Sequence, residues 1–210
     1  MCRDPHCLHE HYRCAQEQGE TCTISLSLPA EQFTHTPLPH AAKYIRLLRA
    51  RSRHDADVLV FELAEHPIDD LPPYTAISYA WGPDSERHKI VINEKYFDVR
   101  SNAREALQQT CRDDLEWYIW MDSICINQED LEEKSAQVEM MADIYRAASL
   151  VYACIGPAED DIEMLLEACS ALDEARSYSF AIHDIVAMCE AFANLAHRSY
   201  WGRMWIVQEI

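Results

Sequence analysis

Glycine is scarce in this chain. The 210 residues hold four glycines, Gly19, Gly82, Gly156 and Gly202, each far from the next. A dinucleotide fingerprint needs three glycines within six positions, and a P-loop needs two around a phosphate-cradling turn, so both are excluded and standard hydride and phosphoryl transfer are disfavoured. No serine stands between the two glycines that a nucleophile elbow requires. Long apolar runs are missing too: nothing approaches the roughly 18 residues of a membrane-spanning helix. The start, Met1-Cys-Arg-Asp-Pro-His6, lacks the basic opening and apolar stretch of a signal peptide. No membrane segment and a cytoplasmic location are therefore expected. Basic charge is also short, with 18 Lys and Arg against 36 Asp and Glu for a net charge of -18. Residues 57–210 carry 30 acids against 11 bases, and residues 1–56 carry 6 against 7. Such a surface repels a nucleic-acid backbone, so nucleic acid is not expected as a partner.

What is present is ordinary globular material, 49% hydrophobic and 26% charged, in a chain long enough to bury a core. Of nine cysteines, Cys111, Cys125, Cys154, Cys169 and Cys189 sit singly inside apolar periodic segments, the pattern of buried free thiols in a reducing compartment. Residues 1–40 hold four cysteines and five of the ten histidines without sustained periodicity and read as an irregular arm. Cys2, His6, Cys7, His9, His11, Cys14 and Cys22 offer soft ligands for a tetrahedral zinc ion, with Cys2, Cys7, His11 and Cys14 as the weak candidate set; their spacing matches no standard finger, and a disordered polar arm is the competing reading.

Residues 41–73 read as strands leading into a domain. Tyr44 to Leu48 and Val58 to Leu63, separated by the polar Arg51-Ser-Arg-His-Asp55, suggest a hairpin on a sheet edge. Tyr74 to Trp81 reads as a strand ended by Gly82-Pro83. Lys89 to Ile92 and Tyr96 to Val99 flank Asn93-Glu94 as a second hairpin. Asn102 and Glu105 look like a capping pair opening a helix with Ala103, Ala106, Leu107, Thr110 and Cys111 on its apolar side. Trp117 to Met121 reads as a buried central strand. Asp130 and Glu133 form another capping pair before a helical pattern of Leu131, Val138, Met141, Tyr145 and Ala148. Leu150 to Ile155 is a further buried-strand candidate, followed by helices over Glu159 to Asp173 and Ala181 to His197. Strands alternating with helices predict a layered α/β fold, a mostly parallel sheet flanked by helices with an added N-terminal hairpin. Ligands then belong outside the strand carboxyl ends, at Tyr79 to Gly82, Asp122 to Asn127 and Ile155 to Gly156.

Asp122-Ser-Ile-Cys-Ile-Asn-Gln128 packs a carboxylate, a hydroxyl, a thiol and two amides into what reads as one loop. Such a loop is either a site or a clasp in which Asp122, Asn127 and Gln128 bond the turn's backbone and cap the next helix. Cys125 makes a poor nucleophile, since apolar neighbours raise a thiol's pKa. Arg203-Met-Trp-Ile-Val-Gln-Glu209 is the second candidate: Arg203 suits a phosphate, Trp205 a stacked ring, and Glu209 ribose hydroxyls or a cationic transition state. The competing reading is a terminal amphipathic helix with Trp205 in the core and an Arg203–Glu209 ion pair.

Four stretches together resemble the heterokaryon incompatibility (HET) domain of filamentous fungi: Tyr74 to Gly82; Trp120 to Gln128; Glu133 to Met141 running into Ile144-Tyr145; and Tyr200 to Glu209. The resemblance spans residues 74–210, with Ile45-Arg-Leu-Leu48 similar to a strand often found just upstream. It implies a signalling or effector module of vegetative incompatibility, in which fusion of unlike hyphae leads to arrest and death of the mixed cell. Self-association or another incompatibility protein is the partner so implied. The chain stops at Ile210 directly after the last motif, which suggests a fragment, a trimmed chain or a short gene product. HET domains are also similar to TIR domains in element order, a TIR/flavodoxin-like arrangement. Some TIR domains cleave NAD with a glutamate that follows a tryptophan, which points to Glu209 as the catalytic carboxylate. NAD is then the substrate, Tyr79, Trp81 and Asp122 complete the pocket, and Arg203 lies nearest the phosphates.

Overall fold

A computed structural model describes residues 28–51, 58–111, 118–156, 162, 165 and 182–202. Seven strands form one sheet: β1 (Tyr44–Ala50), β2 (Val60–Pro67), β3 (Tyr74–Tyr79), β4 (Arg87–Ile92), β5 (Lys95–Arg100), β6 (Tyr118–Trp120) and β7 (Leu150–Cys154). Their order across the sheet is β5-β4-β2-β1-β6-β3-β7. Between and beside them run α1 (Ser101–Thr110), the single turn α2 (Asp122–Cys125), α3 (Leu131–Glu139), α4 (Met141–Ala147) and α5 (Ile182–Ala196).

β1 and β2 pair antiparallel from Tyr44 against Pro67 to Ala50 against Phe61, so the expected hairpin is present. It does not lie at an edge. β1 also pairs with β6, and β2 with β4. The burial of Ile45, Arg46, Leu47 and Leu48 in succession shows that β1 is covered on both faces as well. The sheet is mixed rather than mostly parallel. β2·β4, β3·β6 and β3·β7 are parallel, whereas β1·β2, β1·β6 and β4·β5 are antiparallel. Helical crossovers lie only in the later part of the sequence; β4 and β5 are joined too closely to be parallel. Their turn takes Asn93 and Glu94 at φ 48° and 64°, the left-handed pair a two-residue hairpin favours. The Asn93 side chain also accepts from Leu63 N–H at 2.9 Å and donates to its carbonyl at 3.0 Å, stitching the turn to β2.

β7 is one of the two outer strands among the described residues, with Leu150 53% exposed, where a buried strand was expected. An apolar run alone does not distinguish a central strand from an edge one. α1 begins at Ser101 and has no side-chain cap; Asn102 lies inside it and donates to Ala80 O at 2.9 Å instead of capping. The Asp130 cap is present, its Oδ1 accepting from Glu132 and Glu133 N–H at 3.0 and 3.1 Å. The helical pattern that follows breaks at Met140 into α3 and α4. Leu131, expected on the buried face, is 75% exposed, and α3 buries Glu133 and Gln137.

Residues 28–40 contain no helix and only a single bridge, Gln32 to Tyr96. Cys111 and Cys125 are buried free thiols and Cys154 is half-buried, but Cys189 is exposed on α5, contrary to expectation. Cys169 and the zinc candidates Cys2, Cys7, His11 and Cys14 lie outside the described residues. So does most of the expected helix over 159–173, of which Ile162 and Leu165 are helical and Ile162 is buried. No helix among the described residues is long and apolar enough to cross a membrane.

Candidate functional site

β6, β3 and β7 are neighbouring parallel strands, so their carboxyl ends open on one rim. There the aromatic end of β3 meets the polar segment after β6. Trp81 Nε1–H donates to Asp122 Oδ2 at 2.9 Å, Ser123 N–H donates to Asp122 Oδ1 at 2.7 Å, and Tyr79 O–H donates to Ser123 Oγ at 2.6 Å. Both oxygens of the buried Asp122 are thereby engaged. The Arg100 guanidinium stands 5.3 Å from the Trp81 ring centre and donates to Gly82 O at 3.0 Å, closing the indole from one side. Tyr79, Trp81, Asp122 and Ser123 are thus brought together.

The expected loop is a one-turn helix followed by extended backbone. Gln128 donates to Asp122 O at 2.9 Å, and Asn127 Oδ1 accepts from Glu129 N–H at 3.2 Å. Burial pushes the Cys125 thiol up to about 12, which leaves it protonated.

Beside this cluster lies a cleft of about 270 Å³ between the ends of β3 and β7, α1 and the turn after α5. Tyr79, Asn102, Glu105, Cys154, Arg198 and Tyr200 line it. Arg198 donates to Ile155 O at 3.1 Å, and the Tyr200 and Ser78 hydroxyls are 2.7 Å apart. Gly156, at φ 110°, lets the backbone meet Arg198: a Cβ there would sit 3.1 Å from the guanidinium. Of the strand ends proposed from sequence, Tyr79, Ala80, Ile155 and Gly156 line this cleft, whereas Trp81 and Asp122 do not. Arg203, Trp205 and Glu209 lie outside the described residues. Glu105 was read only as a helix-capping residue and Arg198 carried no signal, because each stands alone on its segment and only the tertiary fold brings both to one cleft.

Beneath the polar segment is a buried charge network. Arg46 on β1 bonds both carboxylate oxygens of Glu133 on α3, at 2.6 and 2.8 Å, with the pair 2% and 3% exposed. Arg46 also donates to Cys125 O at 3.0 Å and Thr36 O at 2.6 Å. Glu133 Oε1 accepts from Asn127 N–H at 2.8 Å. Gln137, one turn on, donates to the carbonyls of Ala41 and Tyr44. Burial works to raise the Glu133 pKa, but the Arg46 and Asn127 hydrogen bonds outweigh it and hold the carboxyl below its ordinary value. A Glu and a Gln at i and i+4 where an inward face was due was the available signal.

His35 completes the support, donating from Nε2–H to Ile124 O at 2.7 Å. Burial lowers its pKa below 6.5, with Arg46 adding to the effect and the Ile124 bond, Glu133 and Glu129 opposing it. The unfolded chain therefore takes up this proton at a higher pH than the folded one. Stability is lost as pH falls from the unfolded value towards the folded one. The urea midpoint is expected to drop between about pH 7.5 and 5.5, and His35→Gln, which keeps a donor without titrating, should flatten that drop. Equal slopes for the two proteins would show that His35 does not contribute.

A family model described as "Heterokaryon incompatibility protein (HET)" matches residues 74–209. Over 115 residues the chain is 39% identical to heterokaryon incompatibility protein 6, OR allele, of Neurospora crassa, an alignment covering 49% of this chain and 17% of that protein. The chain thus spans a small part of that relative's length. No solved structure matches. With the family model covering more than half of its length, the chain belongs to the heterokaryon incompatibility (HET) family.

Proposed function

We propose that this chain is a cytoplasmic signalling or effector module of fungal self/non-self recognition, one that acts in vegetative incompatibility and leads to death of the mixed cell. The family match carries this reading. The rim supports it: Tyr79, Trp81, Asp122 and Ser123 bond one another, as residues that build a rigid docking surface do. Self-association or another incompatibility protein is the partner. Expressed in hyphae, the chain should provoke growth arrest. Asp122→Ala, which frees Trp81 and Ser123, should abolish it, whereas arrest that survives an opened clasp would count against this reading.

The cleft supports a second reading, cleavage of NAD in a TIR-like arrangement. It opens at the carboxyl ends of two parallel strands, where such sheets hold ligands, and Tyr79 and Arg198 line it. In this reading Glu209, nine positions beyond Tyr200, stabilises the positive charge that develops as nicotinamide leaves. Trp205 stacks on a ring and Arg203 pairs the phosphates, with Trp81 and Asp122 on the adjoining rim rather than in the cleft itself. Purified chain should then release nicotinamide from NAD, with Glu209→Ala about a hundredfold slower or worse. A folded, concentrated sample without turnover would leave the module reading alone.

A further inference from the structure

One wall of the cleft is a single stripe of α1. Asn102, Glu105, Ala106 and Gln109 stand at i, i+3, i+4 and i+7, which places them on one side of the helix, and all four line the cleft. Asn102 is engaged with Ala80 O, and Ala106 is buried and small. Glu105 and Gln109, one turn apart, are left to meet a ligand: among the described residues neither side chain has a hydrogen-bond or ion-pair partner. The opposite wall is of another kind. Arg198 stands there, bonded to Ile155 O, together with Cys154 and the buried Tyr200. Burial pushes the Cys154 thiol up to about 11, so it is neutral and supplies neither charge nor a thiolate.

These walls restrict what fits between them. A carboxylate on one side and a guanidinium on the other oppose a compact cation and a compact anion alike, and the net charge of -18 on the whole chain adds to the exclusion of anions. A neutral molecule whose hydroxyls donate to Glu105 satisfies both walls. The two carboxylate oxygens accept from two hydroxyls at once, and the Gln109 amide beside them both donates and accepts, a set that suits adjacent hydroxyls on one ring. Size decides the remainder. At about 270 Å³ the cleft falls just below the roughly 300–1,000 Å³ of pockets for drug-sized ligands, the size of a sugar carrying one base. Ile155, Tyr79 and Tyr200 offer the apolar surface that a base needs.

We propose that this cleft binds a neutral ribonucleoside, with the 2′- and 3′-hydroxyls of its ribose on Glu105 and Gln109 and its base against Ile155, Tyr79 and Tyr200. The carboxyl ends of the parallel strands β3 and β7 are where a sheet of this kind holds ligands. The inference goes beyond the NAD reading, because holding a nucleoside requires neither Glu209 nor a broken bond.

Calorimetric titration of the full chain with adenosine, guanosine, cytidine and uridine tests this. At least one should bind with a Kd on the order of 0.1 mM, the strength a fitted pocket gives to about 20 ligand atoms. Its 2′-deoxy counterpart should bind about tenfold more weakly, having lost a hydrogen bond to a charged group. Glu105→Gln, at an exposed position, should weaken the ribonucleoside about tenfold and leave the deoxynucleoside nearly unchanged, so that the two forms bind this variant alike. Gln109→Ala should weaken the ribonucleoside as well, with unaltered thermal melts showing that both variants keep the fold. No binding by any of the four nucleosides, or a preference for ribose over deoxyribose that Glu105→Gln leaves intact, overturns the proposal. So does a 5′-monophosphate that binds more tightly than its nucleoside, which would make the cleft an anion site. Nucleoside binding without release of nicotinamide from NAD leaves this site standing and removes the cleavage reading, whereas release without nucleoside binding removes only the site.

Discussion

A chain beginning at residue 74, where the family match starts, is expected not to fold. β1 and β2 lie between β4 and β6, so removing residues 1–73 splits the sheet into β5-β4 on one side and β6-β3-β7 on the other. The deletion takes Ile45, Leu47, Leu48, Leu59, Phe61 and Leu63 out of the buried core. At about 1.5–3 kcal/mol for each large apolar side chain, that loss equals or exceeds the roughly 5–15 kcal/mol by which a domain is stable. It also bares the paired edges of β4 and β6, which invites aggregation. Residues 74–210 should express as insoluble protein or give a near-ultraviolet circular dichroism spectrum without fixed aromatic signals, while 28–210 should resemble the whole chain. A folded, cooperatively melting 74–210 fragment would mean that β1 and β2 are dispensable.

The second large effect is expected at the Arg46–Glu133 pair. With both groups nearly inaccessible to water, Glu133→Ala leaves the Arg46 guanidinium buried without its counter-charge, a loss of about 3–5 kcal/mol. For a chain of this size that lowers the melting temperature by roughly 10 °C. Arg46→Met strands the Glu133 carboxylate in the same way and also removes the donor to Cys125 O and Thr36 O. The double variant Arg46→Met with Glu133→Leu should cost clearly less than the two single losses added together, because no charge is then left behind. Asn127 N–H and the two carbonyls still lose partners, at about 1–3 kcal/mol for each group left unsatisfied, so recovery is incomplete. Thermal melts of the four proteins decide it, and strictly additive losses would show that the pair is not coupled.

The same pair joins stability to the candidate site. Arg46, Glu133 and His35 bond Cys125 O, Asn127 N–H and Ile124 O, three successive points on the backbone that leads out of the Asp122 turn. Two of those holders, His35 and Arg46, precede the region matched by the family. Changes far from the rim should therefore disturb the rim.

Elements whose signal is local were legible from sequence. Asp130 caps α3 because a carboxylate at that position reaches the first free amides of its own helix. Asn93-Glu94 turns a hairpin because asparagine tolerates positive φ. The motifs that placed Trp81 and Asp122 on one rim, and the family itself, were also readable. What sequence did not determine were properties of partners distant along the chain. β1-β2 went to the middle of the sheet because a strand's position depends on which edges its neighbours leave open, and β7 became an outer strand for the same reason. Asn102 turned from cap to tether because Gly82, at φ 70° with no Cβ, lets the Asn102 amide come close. Glu133 became half of a buried ion pair because Arg46, 87 residues away, arrives at the same depth. Backbone preference acts within a few residues, whereas burial and charge pairing act through space, so those outcomes belong to the tertiary structure alone.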